Sequence, residues 1–251
     1  MKIRPSRILI LLIILLFIVL VLNQYHSVYE GFDSNPIQMY VISLRHEDRL
    51  KNIEKQQEKV GQPIQIFDAV KGDFVEVAPL IASGVLDKKY ANPEKRQKRE
   101  IGCYMSHLQL IQQIQQRSGY TIIFEDDFDI PNSSFLKDVS TILQTLENKG
   151  IEFDLLFLGT SSNNKGELVA DNIYKQNKET DLWGTYGYLV NNVHIPKILD
   201  AIKIMDTPID NQYEAQGRQD KLTVLMVNPA IVNHQDLGST IGDFSIETFI
   251  T

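Results

Sequence analysis

Cysteine is almost absent from this sequence: Cys103 is the single one among 251 residues. No disulfide can therefore form within the chain, whichever compartment it occupies. Cys103 lies inside an apolar pattern of helical spacing. That position favours a buried small hydrophobic residue over a catalytic nucleophile.

The usual hydrolase signatures are missing too. The sequence contains no Gly-x-Ser-x-Gly, no phosphate-binding glycine loop and no His-Glu-x-x-His, so nothing supports a hydrolase. Positive charge is not in excess, since the formal net charge is -7, and nucleic acid is not an expected partner. The basic run at residues 95–99 is a local exception, as either a solvated loop or a face turned toward an anionic ligand.

The N-terminus carries an unbroken apolar run at residues 8–22, preceded by Lys2, Arg4 and Arg7. The run is shorter than the about 20 residues that cross a bilayer as a helix, although thinner membranes reduce the difference. No small-x-small cleavage site follows it. An uncleaved signal-anchor is therefore preferred to a cleaved signal peptide.

The positive-inside bias predicts the orientation of this anchor, with the bulk of the chain on the far side of the membrane. We predict a single-pass type II membrane protein whose main domain is lumenal or extracytoplasmic, as in a Golgi-like or ER-like membrane or a virus-encoded protein. The predicted parts are a cytoplasmic tail at 1–7, a transmembrane signal-anchor at 8–22, a stem at 23–36 and one domain at 37–251.

Beyond the stem, strand spacing alternates with helical spacing, which predicts a layered α/β domain. The region at residues 74–98 has a weak pattern and several turn residues, so it is interpreted as a long connection that covers a substrate. Strands are predicted at 38–44, 64–67, 121–125, 153–158, 186–190 and 222–227, and helices at 45–60, 101–114 and 135–146, with another begun by Pro196.

The strand at 121–125 runs into a cluster of carboxylates at Glu125, Asp126, Asp127 and Asp129. Clustered carboxylates repel one another, so a divalent cation that brings diphosphate oxygens is a natural partner. A solvated turn is the alternative. An EF-hand calcium loop does not fit, because neither possible frame puts glycine at the turn position.

Several segments, in order and spacing, resemble glycosyltransferase family 25, the group of lipooligosaccharide galactosyltransferases and collagen galactosyltransferase-like proteins. The segments include residues 41–44 with Arg49, 67–70 with Gly72, 100–108, 124–127, 154–159, 184–190, 208–210, and Pro229 with Ser239 and Ile241.

This resemblance implies a GT-A type fold, a UDP-sugar donor that is usually UDP-galactose, a divalent metal that is often manganese, and inversion at the anomeric carbon. The acceptor would be a hydroxyl of a glycan, a glycolipid or a protein.

The family's Asp-x-Asp type motif corresponds to Glu125-Asp126-Asp127, with Asp127 as a metal ligand and Glu125 as a partner of ribose or metal. Asp127 and Asp129 form a second Asp-x-Asp, so the register stays open. His234 is a further metal candidate, and Gln235 is its alternative.

The donor site is expected beyond the carboxyl ends of the strands. The residues assigned to it are Leu44, Arg49, Asp68, Ser106, His107, Glu125 and Asp126.

Asp210 is the expected general base, because an inverting transfer needs a carboxylate to take the acceptor proton. The alternative for this residue is a helix-exit turn. Near the C-terminus the sequence has Ser239-Thr240-Ile241 where the family has Ser-Asp-Ile. The missing aspartate leaves open a second function, a catalytically silent membrane-displayed protein that binds carbohydrate or nucleotide sugar.

Overall fold

The computed structural model describes residues 37–162 and 166–235, which belong to one compact unit that begins at Ile37. The predicted tail, signal-anchor and stem, and the sequence departure at Thr240, lie outside the described residues. Within the described residues, no helix has the length and apolar character that crossing a membrane requires.

The centre of the domain is a mixed sheet of eight strands. Two further short strands form a separate antiparallel pair. The strands are β1 (Gln38–Ser43), β2 (Gln65–Asp68), β3 (Tyr120–Glu125), β4 (Phe128–Asp129), β5 (Leu155–Phe157), β6 (Glu167–Ala170), β7 (Ile173–Lys175), β8 (Gly187–Asn191), β9 (Val224–Val227) and β10 (Asn233–His234).

The sheet has the order β2-β1-β3-β8-β5-β9-β7-β6. β1 runs parallel to both β2 and β3, so the carboxyl ends of these three strands meet at one edge. β8 is antiparallel to its neighbours β3 and β5. The sequence predicted the α/β class, and the mixed sheet confirms it.

The described residues also form six α-helices. They are α1 (Glu47–Val60), α2 (Val77–Ala82), α3 (Lys95–Gln113), α4 (Phe135–Asn148), α5 (Ile195–Ala201) and α6 (Ile209–Arg218). Helix α1 ends as its sequence predicts, since Gly61 has a φ of 71°, a left-handed conformation that glycine adopts without strain.

The core lies between the sheet and helices α3, α5 and α6. Tyr104, Ile111, Tyr188 and Tyr213 are completely buried there. The apolar spacing of α3 produces this packing, because every third or fourth residue faces the sheet.

The predicted long connection at residues 74–98 is only partly correct. It contains α2 and a short 3-10 turn at Lys88–Tyr90, and α3 begins at Lys95, six residues before its apolar pattern. At this early start, the backbone N–H of Glu94 donates to Gln97 Oε1 at 2.9 Å. The first turn of α3 is polar, so apolar periodicity could not reveal where this helix begins. The β6–β7 hairpin was not predicted either, because its two strands are short and half exposed.

Candidate functional site

Two adjoining cavities lie at the carboxyl ends of β1 and β3. The larger has a volume of about 340 Å³ and the smaller about 240 Å³, and Cys103, Glu125 and Gly184 line both. The larger is also lined by Ser43, Leu44, Ala69, Val70, Arg99, Ser106, His107, Asp126, Asp127, Ser161, Trp183, Tyr186 and His234, and the smaller by Arg96, Glu100, Thr185, Pro208, Ile209, Asp210 and Asn211.

The acidic motif stands at the end of β3, where the predicted carboxylates meet a buried arginine. Arg49 is 2% exposed, and its Nη1 lies 3.3 Å from Asp126 Oδ1 and 3.0 Å from Asp127 Oδ2. Helix α1 carries Arg49 beneath the strand end. Arg49 therefore supplies part of the positive charge that the carboxylate cluster requires.

Asp127 also meets His234, whose Nε2 is 3.4 Å from Asp127 Oδ2. The short pairing of β10 with β4 brings the two together, and the N–H of Gln235 donates to the Asp127 carbonyl at 2.8 Å. Burial alone would raise the pKa of Asp127, but hydrogen bonding and charge from His234 and Arg49 outweigh it and lower that pKa.

Asp126 turns toward β1 and accepts a hydrogen bond from Ser43 Oγ at 2.7 Å. Burial raises the pKa of Asp126, and Ser43 and Arg49 only partly oppose this effect. The amide of Asn52 donates to the Asp126 carbonyl at 3.1 Å and the Phe128 carbonyl at 2.9 Å, which fixes the turn after β3.

Asp129, the second candidate of the Asp-x-Asp register, lines neither cavity. Lys59 Nζ lies 2.9 Å from Asp129 Oδ1, and Gln56 donates to the same oxygen at 3.0 Å. These contacts favour a structural role for Asp129 and the earlier register, Glu125 to Asp127, for the site.

Glu125 lines the same cavity as Asp127 and contacts a buried polar cluster. It accepts a short hydrogen bond from Thr185 Oγ1, and its Oε1 lies 3.4 Å from His107 Nε2. The other ring nitrogen, His107 Nδ1, is 2.8 Å from Tyr188 Oη. Neither Thr185 nor Tyr188 was predicted as a site residue, because Thr185 lies in a loop before β8 and Tyr188 lies within the apolar strand β8, and neither position carries a local signal.

Ser106 joins helix α3 to the loop that follows β2. Its hydroxyl donates to the Gly102 carbonyl at 2.7 Å and accepts from the Val70 N–H at 2.8 Å. Gly102 lets the loop approach, because a Cβ there would lie 2.6 Å from the Val70 carbonyl oxygen. A glycine inside a helical pattern is the signal that could have revealed this contact.

Asp68 is the last residue of β2 and Leu44 follows β1, so both lie at the same edge of the sheet, but their surroundings differ. Leu44 lines the larger cavity. Asp68 is exposed and forms a short ion pair with Arg45, which lowers the pKa of the Asp68 carboxyl through that hydrogen bond. The neighbour of Asp68, Ala69, lines the cavity in its place.

Asp210 opens helix α6 at the smaller cavity, so the helix-exit alternative for this residue is wrong. Its carboxylate accepts from the Gly184 N–H at 3.2 Å and the Asn211 N–H at 2.9 Å. Burial raises the pKa of Asp210 in spite of these hydrogen bonds. A carboxylate held in this way is a stronger base than one in water.

Trp183 and Arg99 are further lining residues that the sequence reasoning did not assign individually. Trp183 is 50% exposed at the rim of the larger cavity, where its ring offers an apolar face. Arg99 belongs to the basic run and lines the same cavity, so the alternative in which that run faces an anionic ligand has a residue to carry it.

Comparisons with known proteins identify a family that this chain resembles. The model of glycosyltransferase family 25 (LPS biosynthesis protein) matches residues 36–213. That range includes every assigned site residue except His234.

Among curated proteins, procollagen galactosyltransferase 1-A of Xenopus laevis is 25% identical over 195 residues, which cover 69% of this chain and 30% of that protein. A Bos taurus protein named "Probable inactive glycosyltransferase 25 family member 3" is 27% identical over 143 residues, covering 55% of this chain and 23% of that protein. The chain spans less than a third of the length of these relatives.

Among solved structures, apo UDP-glucose pyrophosphorylase aligns with 9% identity and a TM-score of 0.42, covering 76% of this chain and 90% of that one. CMP:2-keto-3-deoxy-manno-octonic acid synthetase with CTP aligns with 11% identity and a TM-score of 0.41, covering 80% and 93%. Both scores are too low to carry an inference.

Proposed function

The chain belongs to glycosyltransferase family 25, and on that premise we propose that it transfers a hexose, galactose first, from a UDP-sugar to an acceptor hydroxyl with inversion at the anomeric carbon. The acceptor is a hydroxyl of a glycan, a glycolipid or a protein. The observation that carries the proposal is the acidic motif after β3, which borders two adjoining cavities. A GT-A type fold is part of the same proposal.

The larger cavity is the donor site in this proposal. Leu44 and the backbone around Val70 border the space for the nucleoside, and Arg99 brings positive charge to the diphosphate. Ser106 acts indirectly by holding the Val70 loop against α3. Asp68 takes part only through its neighbour Ala69, because its own carboxylate is turned to Arg45.

The possible metal ligands at the end of β3 fit a hard divalent cation such as Mn²⁺. Asp127 Oδ1 is buried and, within residues 37–162 and 166–235, has no hydrogen-bond partner, so it keeps lone pairs for a ligand. Asp127 and His234 would hold the ion, with Glu125 as third candidate. Such an ion, when bound, neutralises negative charge on the departing nucleoside diphosphate.

Asp210 is the general base of the proposal. The smaller cavity joins Asp210 to Glu125 and so to the donor side, which suits an acceptor that enters from the opposite direction. The acceptor hydroxyl gives its proton to Asp210 as its oxygen attacks the anomeric carbon and the bond to the diphosphate breaks. The N–H groups of Gly184 and Asn211 keep the carboxylate in place.

Membrane anchoring stays part of the proposal, with residues 8–22 as a type II signal-anchor and the catalytic domain lumenal or extracytoplasmic. The support is the apolar run with basic residues before it. This feature lies outside the described residues.

The alternative is a catalytically silent protein that binds nucleotide sugar or carbohydrate. The name of the Bos taurus relative, which calls that protein probably inactive, and the departure at Thr240 favour this alternative. Asp127, whose Oδ1 has no hydrogen-bond partner among the described residues, and the half-buried Asp210 with its raised pKa favour turnover.

One experiment separates the two functions. The full chain is incubated with a panel of nucleotide sugars, in manganese or in chelator, and nucleotide release is measured with and without pooled acceptors. Release from one UDP-sugar that requires metal and acceptor supports the transferase and identifies its donor. Thermal stabilisation by a nucleotide sugar without any release supports the silent protein instead.

A further inference from the structure

Three potential metal ligands of mixed type meet where the two cavities join. Cys103 and His107 are one helical turn apart on α3 and therefore share a face, and Glu125 approaches them from the end of β3. The ligand atoms of the three residues all lie within 4.8 Å of one another. Among the described residues this is the group of three His, Cys, Asp or Glu side chains that meets that limit.

His107 gives an independent indication of a ligand-binding site. Its side chain is completely buried, and its Nε2 has no hydrogen-bond partner in the described part of the chain. A buried ring nitrogen without a partner destabilises the fold unless something binds it. The opposite nitrogen is held by Tyr188 Oη at 2.8 Å, an arrangement that commonly orients a metal-binding histidine.

The distances fit a small tetrahedral ion. Nitrogen and oxygen ligands at zinc bond lengths lie about 3.3 Å apart around a tetrahedral centre. His107 Nε2 and Glu125 Oε1 are 3.4 Å apart, long for a hydrogen bond but close to this value. The Cys103 sulfur, which lies within 4.8 Å of the other two ligand atoms, would be the third ligand, and Cys103 and Glu125 both line the two cavities.

We propose that Cys103 Sγ, His107 Nε2 and the Glu125 carboxylate form a second cation site, selective for a borderline-soft divalent ion such as Zn²⁺. A thiolate ligand favours zinc over manganese, which prefers oxygen ligands. The site differs from the one at Asp127 in two of its ligands and shares Glu125 with it as a candidate, and its existence does not rest on the proposed transfer reaction. The effect of the site on activity does rest on that reaction. Zinc bound here would occupy Glu125, so it should inhibit a manganese-dependent transferase.

Ion binding has to displace the thiol proton. Burial raises the pKa of Cys103 well above its ordinary value, and Glu125 adds to this effect, so the free thiol is protonated at neutral pH. Zinc affinity therefore increases with pH as the competing proton becomes scarcer.

The test uses Co²⁺ as a spectroscopic probe on the full chain, kept reduced with a phosphine. Because Cys103 is the single cysteine, any thiolate-to-cobalt charge-transfer band comes from this residue. We expect the band to appear on cobalt addition, to disappear when Zn²⁺ is added, and to be absent in Cys103→Ser. In Tyr188→Phe, which keeps the ring but removes the hydrogen bond to His107, cobalt affinity should fall about 10–100-fold.

The matched control is Asp127→Asn, which removes a ligand of the other proposed site and should keep the band. A folded wild-type protein that binds cobalt without the band, or does not bind it, overturns the proposal. An unchanged cobalt midpoint in a folded His107→Gln variant also overturns it. Each readout is independent of turnover, so failure of the transferase proposal would leave these outcomes interpretable.

Discussion

Arg49 lies directly beneath Asp127, with 3.0 Å between its Nη1 and the Oδ2 of that carboxylate, and it is almost completely buried. The same guanidinium reaches Asp126 at 3.3 Å. The acidic motif is therefore paired with a cationic side chain of the protein itself, the guanidinium of Arg49. One oxygen of Asp127 is occupied by Arg49 and His234, and the other remains available.

Arg49→Met should destabilise the domain by about 3–5 kcal/mol, because two mostly buried carboxylates lose the guanidinium that pairs with both of them. Urea unfolding measures this change. Arg45→Met is the matched control, since Arg45 pairs with Asp68 at the surface, and its stability should be nearly that of the wild type. Equal losses in the two variants would contradict the role given to Arg49.

The stability lost in Arg49→Met should shrink at acidic pH. The folded-state pKa of Asp127 is lowered, so the pair stabilises the fold above the unfolded-state pKa of aspartate and this contribution disappears as pH falls through the folded value. Unfolding at a series of pH values should show the two proteins converging toward acid. A difference that stays constant with pH would show that Arg49 acts by packing alone.

Asp127→Asn should lower metal-dependent turnover about 100-fold or more, because charge on the leaving diphosphate loses its stabilisation. Nucleotide release at saturating manganese measures the effect, and circular dichroism checks the fold. Asp129→Asn is the control within the same motif, since Asp129 binds Lys59 and Gln56 away from the cavities. Full activity in Asp127→Asn, or a larger loss in Asp129→Asn, would reject the assigned register.

Asp210→Asn should reduce transfer about 10²–10⁴-fold while donor binding stays unchanged. The control is Asp206→Asn, an exposed carboxylate on the same segment. Equal losses of transfer and donor affinity would mean that Asp210 holds the donor.

The pH profile should identify the same base. Burial raises the pKa of Asp210, and a base acts when deprotonated, so kcat/KM should fall toward acid with a midpoint above that of an exposed aspartate. The residual activity of Asp210→Asn should lack this acid limb. An acid limb with an unchanged midpoint in that variant would assign it to another group.

Trp183→Ala should raise the KM for donor or acceptor about 5–10-fold with little change in stability, because half of the side chain is exposed and its ring borders the larger cavity. Initial rates at varied concentrations of each substrate show which KM changes. Phe74→Ala removes an exposed aromatic ring that lines neither cavity and should leave both values unchanged.

The sequence by itself determined the α/β class, most strand positions and the acidic motif at the end of β3. These features follow from local periodicity and from a sharp change between apolar and acidic residues, which neighbouring positions reveal. The glycine that ends α1 was readable for the same reason.

Only the tertiary structure decided how the site residues divide. Asp126, Asp127 and Asp129 are nearly adjacent in sequence, yet each contacts a different partner. These partners are Ser43, His234 and Lys59, respectively. The meeting of Cys103, His107 and Glu125 likewise depends on the packing of α3 against β3. Side-chain direction at a strand end depends on contacts with residues far away in the chain, and local pattern contains no information about them.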